Sequence, residues 1–240
     1  MRCGQCQGIR TLFGERVARN DLKRYRRRGP LKTTRILLDA LRDEGVSGAT
    51  LLDIGGGVGA VSNELLGAGA ERATVVDASP AYLMAAKMET RRQGNADRVE
   101  FHSGDFVEVA PEIAPADVVT LDRVICCYHD MEALVSASAA RAKRLYGLVY
   151  PRERWWTELG ASVLNLGCRV TRNPFRIFVH SPAAVERVVR SCGLVRRFRR
   201  TTPVWQVLVY GSTSTRDRGR TTRLRPCGDY QRRAIPTPTK

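Results

Sequence analysis

The stretch LLDIGGGVGAVSNEL, residues 51–65, limits this chain more than any other. A short apolar run ends at a cluster of glycines, and a helical pattern begins at once. Glycines at 55, 57 and 59 let the backbone turn sharply and let a ligand come close without meeting a Cβ. The helix that follows presents free N–H groups and the positive end of its dipole to an anionic group. Such a strand, turn and helix is built to hold a small molecule.

The flanking sequence extends the unit. ATLLDI reads as a buried strand and AVSNELLGAG as a helix, followed by the strand ATVVDA. Ser79 caps the next helix, with Pro80 at its first position, and that helix runs to Gly94. RVEFHSGD and ADVVTLD are the third and fourth strands. Asp130 caps a helix read as MEALVSASAARAKRL, and YGLVY is the fifth strand. Strands alternating with helices predict a Rossmann-like, doubly wound α/β sheet, mostly parallel, with helices on both faces. After Pro151 come a helical WWTELGASVLNLG, a helix from Ser181-Pro182 to Gly193, and the runs LVRRFRRT and VWQVLVYG, read as an antiparallel pair closing the sheet. Residues 13–44 read as helical, broken at Gly29-Pro30.

The net charge is +16 over 240 residues, which raises the question of nucleic acid. Residues 1–35 hold 11 Lys/Arg against 2 Asp/Glu, and residues 212–240 hold 8 against 2, so the middle is close to neutral. The chain divides into a basic helical arm (1–29), a ligand-binding domain (30–211) and a basic Thr/Arg/Pro-rich tail (212–240) expected to be disordered. Nucleic acid is therefore not the favoured partner. No apolar run approaches the roughly 20 residues of a membrane span, and MRCGQCQGIR lacks the apolar stretch of a secretory signal, so the expectation is a cytoplasmic enzyme. Seven cysteines without an export signal predict reduced thiols. Cys3 and Cys6 form one C-x2-C with no second half, and no metal is expected.

A glycine turn alone also suits NAD or FAD. Here the spacing is D-x-G-x-G-x-G, opened by Asp53, and a carboxylate there suits a ligand carrying an ammonium better than a pyrophosphate. Asp77 ends the next strand, where it can accept hydrogen bonds from ribose hydroxyls. Gly104-Asp105-Phe106 follows the third strand and can meet an adenine. These features favour S-adenosylmethionine over a nicotinamide cofactor.

DIGGGVG, VVDAS, SGDF and ADVVTLDRV resemble successive motifs of class I S-adenosylmethionine-dependent methyltransferases over about residues 30–210. The resemblance implies that Gly55, Gly57 and Gly59 line the methionine portion of the cofactor. It implies ribose at Asp77, beside Ser79, and adenine at Asp105 and Phe106, with Asp53 beneath the loop. A narrower likeness, through LLDIGGGVGA and CYHD, is to magnesium-protoporphyrin O-methyltransferase-like proteins. Aligned on Tyr128, this chain has Cys127 where that family has a histidine, and Phe13 near the place of its tyrosine.

The acceptor side is expected in the loop after the fourth strand. His129 is a candidate general base, because transfer to oxygen or nitrogen requires a proton to leave near neutral pH. Tyr128 and Asp122 are the other polar candidates. Trp155 and Trp156 are read as the floor of an apolar site or as core. The expected reaction is methyl transfer to a small or medium organic acceptor, planar or aromatic, with O-methylation foremost. The alternatives are an RNA methyltransferase using the basic ends, and a NAD(P)-dependent oxidoreductase.

Overall fold

The computed structural model describes residues 4–212. The expected tail, like Cys3, lies outside the described residues. Three helices come first: α1 (Gly4–Leu12), α2 (Glu15–Arg28) and α3 (Lys32–Asp43). The alternating core is β1 (Thr50–Ile54), α4 (Ala60–Gly67), β2 (Arg72–Asp77), α5 (Pro80–Arg92), β3 (Val99–Ser103), α6 (Phe106–Val109), β4 (Ala116–Asp122), α7 (Met131–Ala139) and β5 (Ala142–Pro151). The chain then forms α8 (Trp155–Val170), α9 (Pro182–Ser191), β6 (Leu194–Thr201) and β7 (Trp205–Ser212).

The seven strands are ordered β3-β2-β1-β4-β5-β7-β6. β1 to β5 are parallel and β7 runs antiparallel between β5 and β6, as the sequence pattern predicts. The order reverses at β1, whose neighbours are β2 and β4, and in open α/β sheets the ligand crevice lies outside the strand ends at such a switch point.

Apolar side chains cover both faces. One cluster joins Leu52, Ile54, Val119 and Leu121 to α7 and α9. The other joins Leu51 and Val118 to Leu37, Leu38 and Leu41 of α3 and to Leu65 of α4. A third, smaller cluster seats α2: Ala18, Leu22 and Tyr25 pack on Val58, Tyr82 and Ala85. The basic arm therefore lies against the domain. Arg26 of α2 also reaches Glu89 of α5 at 2.6 Å. Burial raises the Glu89 carboxyl, but hydrogen bonds from Arg92, Gln93 and Arg26 outweigh it and hold it down at about 2.

Three sequence expectations need correction. The helix read through ARAKRL stops at Ala139, and Ala142 already pairs with Ala116. Arg141 makes the corner: it is buried, and its guanidinium donates to the carbonyls of Ala110, Ile113 and Ala137, an arrangement that helical periodicity does not reveal. Trp155 and Trp156 are 71% and 41% exposed, so they belong to no core. Cys126, Cys127 and Cys168 are free, but Cys192 is disulfide-bonded, so reduced thiols do not hold throughout. No described helix is long and apolar enough to cross a membrane.

Candidate active site

A cavity of about 410 Å³ opens at the ends of β1, β2 and β4, within the range of small-molecule sites. Its base is the glycine turn. Gly55, Gly57 and Gly59 have φ of 64°, 56° and 77°, the left-handed region that side chains disfavour. A Cβ on Gly55 would also run into the Val124 side chain, so this approach of turn to loop requires glycine.

Asp53 and Asp77 flank the turn. Asp53 is 1% exposed; its Oδ1 accepts a bond from the Thr120 hydroxyl at 2.8 Å. Its Oδ2 makes no full hydrogen bond within the described residues, with only a weak pull from the Ser62 amide. Burial raises the Asp53 pKa to about 7; Thr120 opposes the rise, and negative Asp122 and Asp77 add to it. Asp77 accepts from the Ser79 amide at 2.8 Å and the Gly57 amide at 3.0 Å, which stitches β2 to the turn. Burial still lifts its pKa to about 6 against those two bonds. Two carboxyls held above their ordinary range, Asp53 buried and Asp77 half-buried, create a site that gains from a cationic ligand.

Gly104, Asp105 and Phe106 line the wall beyond β3. Asp105 caps α6 through the Val107 amide at 3.0 Å and accepts from the Tyr128 hydroxyl at 3.0 Å. Tyr128 thus lies on the same side of the cavity as the β3 end. Ser79 has its hydroxyl engaged by the protein itself, donating to the Phe13 carbonyl at 2.8 Å and accepting from the Tyr82 amide at 3.3 Å.

On the acceptor side, Asp122 lines the cavity and is fixed by the Thr34 hydroxyl at 2.5 Å and Arg123 Nε at 3.1 Å. Arg123 itself has a φ of 62° and also lines the cavity. His129 is not among the lining residues; it stacks on Tyr128, with ring centroids 5.2 Å apart, just ahead of the Asp130 cap. His180 has Nε2 3.1 Å from the Ile125 carbonyl and 3.0 Å from that of Tyr128, and so anchors the loop.

Several residues of the wall carry no sequence signal. Phe175, Ile177 and Trp205 are such residues, and they form its apolar side together with Phe13. Trp205, not the Trp155-Trp156 pair, is the tryptophan that lines the cavity. Phe13 meets Phe175 edge-on with centroids 5.6 Å apart. Gln5 of α1 ties the wall together, donating to the carbonyls of Cys127 at 2.9 Å and Arg176 at 2.7 Å and accepting from the Arg176 amide. Nothing in GQCQGIRTL announces that role.

The fold, the acidic glycine turn and the carboxylate that ends β2 are features of nucleotide-cofactor domains, and known proteins share them in part. Residues 51–145 match the family described as a methyltransferase domain. The ribosomal protein L11 methyltransferase of Vibrio parahaemolyticus is 34% identical over 91 residues, 38% of this chain and 30% of that protein. Its counterpart in Vibrio vulnificus is 28% identical over 107 residues, 45% of this chain and 35% of that protein. The chain thus spans about a third of the length of the curated relatives it matches. Among solved structures, magnesium protoporphyrin IX methyltransferase from Synechocystis with bound S-adenosylhomocysteine superposes with a TM-score of 0.63 at 19% identity, over 85% of this chain and 98% of that one. An O-methyltransferase family protein from Burkholderia thailandensis gives 0.66 at 19%, over 86% and 63%. Residues 51–145 thus match a methyltransferase domain, and most of the chain shares the fold of methyltransferases solved with S-adenosylhomocysteine or S-adenosylmethionine bound.

Proposed function

We propose that the chain transfers the methyl group of S-adenosylmethionine to oxygen on a small or medium, planar, largely apolar acceptor. The observation that supports this is the continuity of the cavity, which runs from the glycine turn and Asp77 to an apolar wall of Phe13, Phe175, Ile177 and Trp205. When bound, the cofactor supplies a methyl group already activated on a sulfonium. The chain's residues then have to hold, align and keep out water.

The glycine turn accommodates the cofactor's methionine part, with the Asp53 and Asp77 carboxyls compensating positive charge. Asp77 and Ser79 face the ribose, and Asp105 and Phe106 the adenine. α1 and α2 close the cavity, which excludes water from the reacting atoms. Asp122, held by Thr34 and Arg123, is the polar group placed to orient the acceptor hydroxyl and receive its proton. Tyr128 serves by bracing Asp105, and His129 by stacking behind it.

Calorimetric titration with S-adenosylhomocysteine and NAD tests the cofactor half. S-adenosylhomocysteine should bind in the micromolar range, roughly −8 kcal/mol, and Asp77→Ala should lose about 1–3 kcal/mol of it. Preference for NAD would refute the reading. A panel of planar phenols, RNA and ribosomal proteins, assayed with labelled S-adenosylmethionine, tests the acceptor half. Labelling of RNA or protein but no phenol would replace the small acceptor.

A further inference from the structure

α8 is built inside out. Trp156, Leu159, Val163, Leu166 and Val170 are 41%, 57%, 61%, 61% and 77% exposed, and no residue of the helix is buried. Their spacing alternates three and four, the narrow a/d seam of a two-stranded coiled coil rather than the wider stripe of a helix packed on a domain. The opposite side, Thr157, Ala161, Asn165 and Cys168, is small and polar, and it is this side that is half-covered by the protein. Asn165 fixes it there, donating to the Ile177 carbonyl at 2.9 Å and accepting from the Ile177 amide at 2.8 Å. A five-residue apolar seam facing solvent over the whole helix marks an interaction surface.

The seam is also self-complementary. Val163 stands near its middle. In an antiparallel pair related by a two-fold axis at Val163, each residue meets one about equally far on the other side of that position. Leu159 then meets Leu166, and Val163 meets its own copy. Gly160 meets Gly167, and a Cβ at either glycine would have open space around it, so the two backbones can approach closely along that edge. On the other edge Glu158 meets Arg169. Apolar faces apolar, small faces small and acid faces base.

We propose that α8 pairs antiparallel with α8 of a second copy of this chain, centred on Val163. The dimer would brace the cavity wall through the Asn165–Ile177 bonds, since Ile177 lines the cavity. Light scattering of the full chain at about 50 µM tests this directly, that concentration lying well above a micromolar Kd. A dimer is expected, and Val163→Glu should return it to a monomer that still binds S-adenosylhomocysteine. A wild-type monomer overturns the proposal, and so does a dimer that survives Val163→Glu. Orientation is read by cysteine cross-linking under mild oxidation. A mixture of Leu159→Cys and Leu166→Cys chains should link one to the other, and neither should link to its own copy; own-copy links without the mixed link overturn the antiparallel arrangement. Glu158→Arg and Arg169→Glu should each weaken dimerisation about fivefold, and their combination should restore it. Failure of the combination to restore it overturns the register.

Discussion

α2 and α8 are both exposed-looking helices beside the cavity, and they use opposite rules. Seven of the 14 residues of α2 are Lys or Arg, yet Ala18, Leu22 and Tyr25, spaced four and three apart, are buried against Val58, Tyr82 and Ala85. α8 contains one basic and one acidic residue, yet buries nothing. Judged by total hydrophobicity, α8 would be core and α2 a solvated arm. The phase of the apolar residues, set against what lies beneath them, decides otherwise. α2 has a Tyr82 ring to cover, whereas the surface under α8 is a loop whose backbone amide and carbonyl need Asn165.

Removing α2 breaks the comparison hardest. Deleting residues 1–29 should abolish turnover, because Phe13, Asp21 and Tyr25 line the cavity, while S-adenosylhomocysteine binding should weaken by no more than about tenfold, some 1.4 kcal/mol. A truncated chain that still turns over would show that α2 does not close the site. Next in size is Leu22→Ala, expected to cost about 2–4 kcal/mol in urea unfolding. The matching Leu159→Ala, made in the monomeric Val163→Glu background, should cost less than about 0.5 kcal/mol. Equal costs would mean that α8 packs within one chain.

Smaller effects sharpen the electrostatic side. Glu89→Gln removes the negative charge and one of the two acceptor oxygens that tie Arg26 of α2 to α5, and should cost about 1–2 kcal/mol. Since folding lowers the Glu89 pKa to about 2, its contribution is complete above its unfolded value and lost as pH falls from about 4.5 towards 2. An acid-unfolding midpoint unmoved by Glu89→Gln would refute this coupling. Asp53 has the opposite sign. Its folded pKa is raised to about 7, so its contribution to stability is greatest below about pH 4 and lost as pH rises through 7. Affinity for S-adenosylhomocysteine should increase over the same window, by up to about tenfold between pH 6 and 8, as the carboxyl ionises. The smallest change is expected from His129→Ala: less than about threefold in rate, since the ring lies outside the cavity wall. A loss of 10²-fold or more would make it the base after all.

Much of the architecture was legible because it is local. β1 to β5, the glycine turn and the Ser79 and Asp130 caps announce themselves through spacing and residue type. Asp53, Asp77, Asp105 and Phe106 read as a set for the same reason: Asp53 lies near the end of β1, Asp77 ends β2, and Asp105 and Phe106 come just after β3. The remaining wall was not, because it comes from segments distant in sequence. Gln5 bonds to Cys127 and Arg176, 122 and 171 residues away, and Thr34 reaches Asp122 across 88. Trp155 and Trp156 misled for a different reason. Two adjacent tryptophans suggest burial, but adjacency cannot report which side of the helix meets the domain.

The edge strand β6 has a consequence for the molecule in concentrated solution. LVRRFRRT closes one side of the sheet with Arg196, Arg197, Arg199 and Arg200, all four exposed. An uncovered strand offers its free N–H and C=O groups to any other chain, and crowding it with like charges is a way of refusing that offer. These arginines belong to the near-neutral middle of the chain, not to its basic ends, and act there as a guard against edge-to-edge aggregation. Its strength depends on ionic conditions: high salt, which shortens the reach of those guanidinium charges, should bring on precipitation sooner than dilution in low salt does.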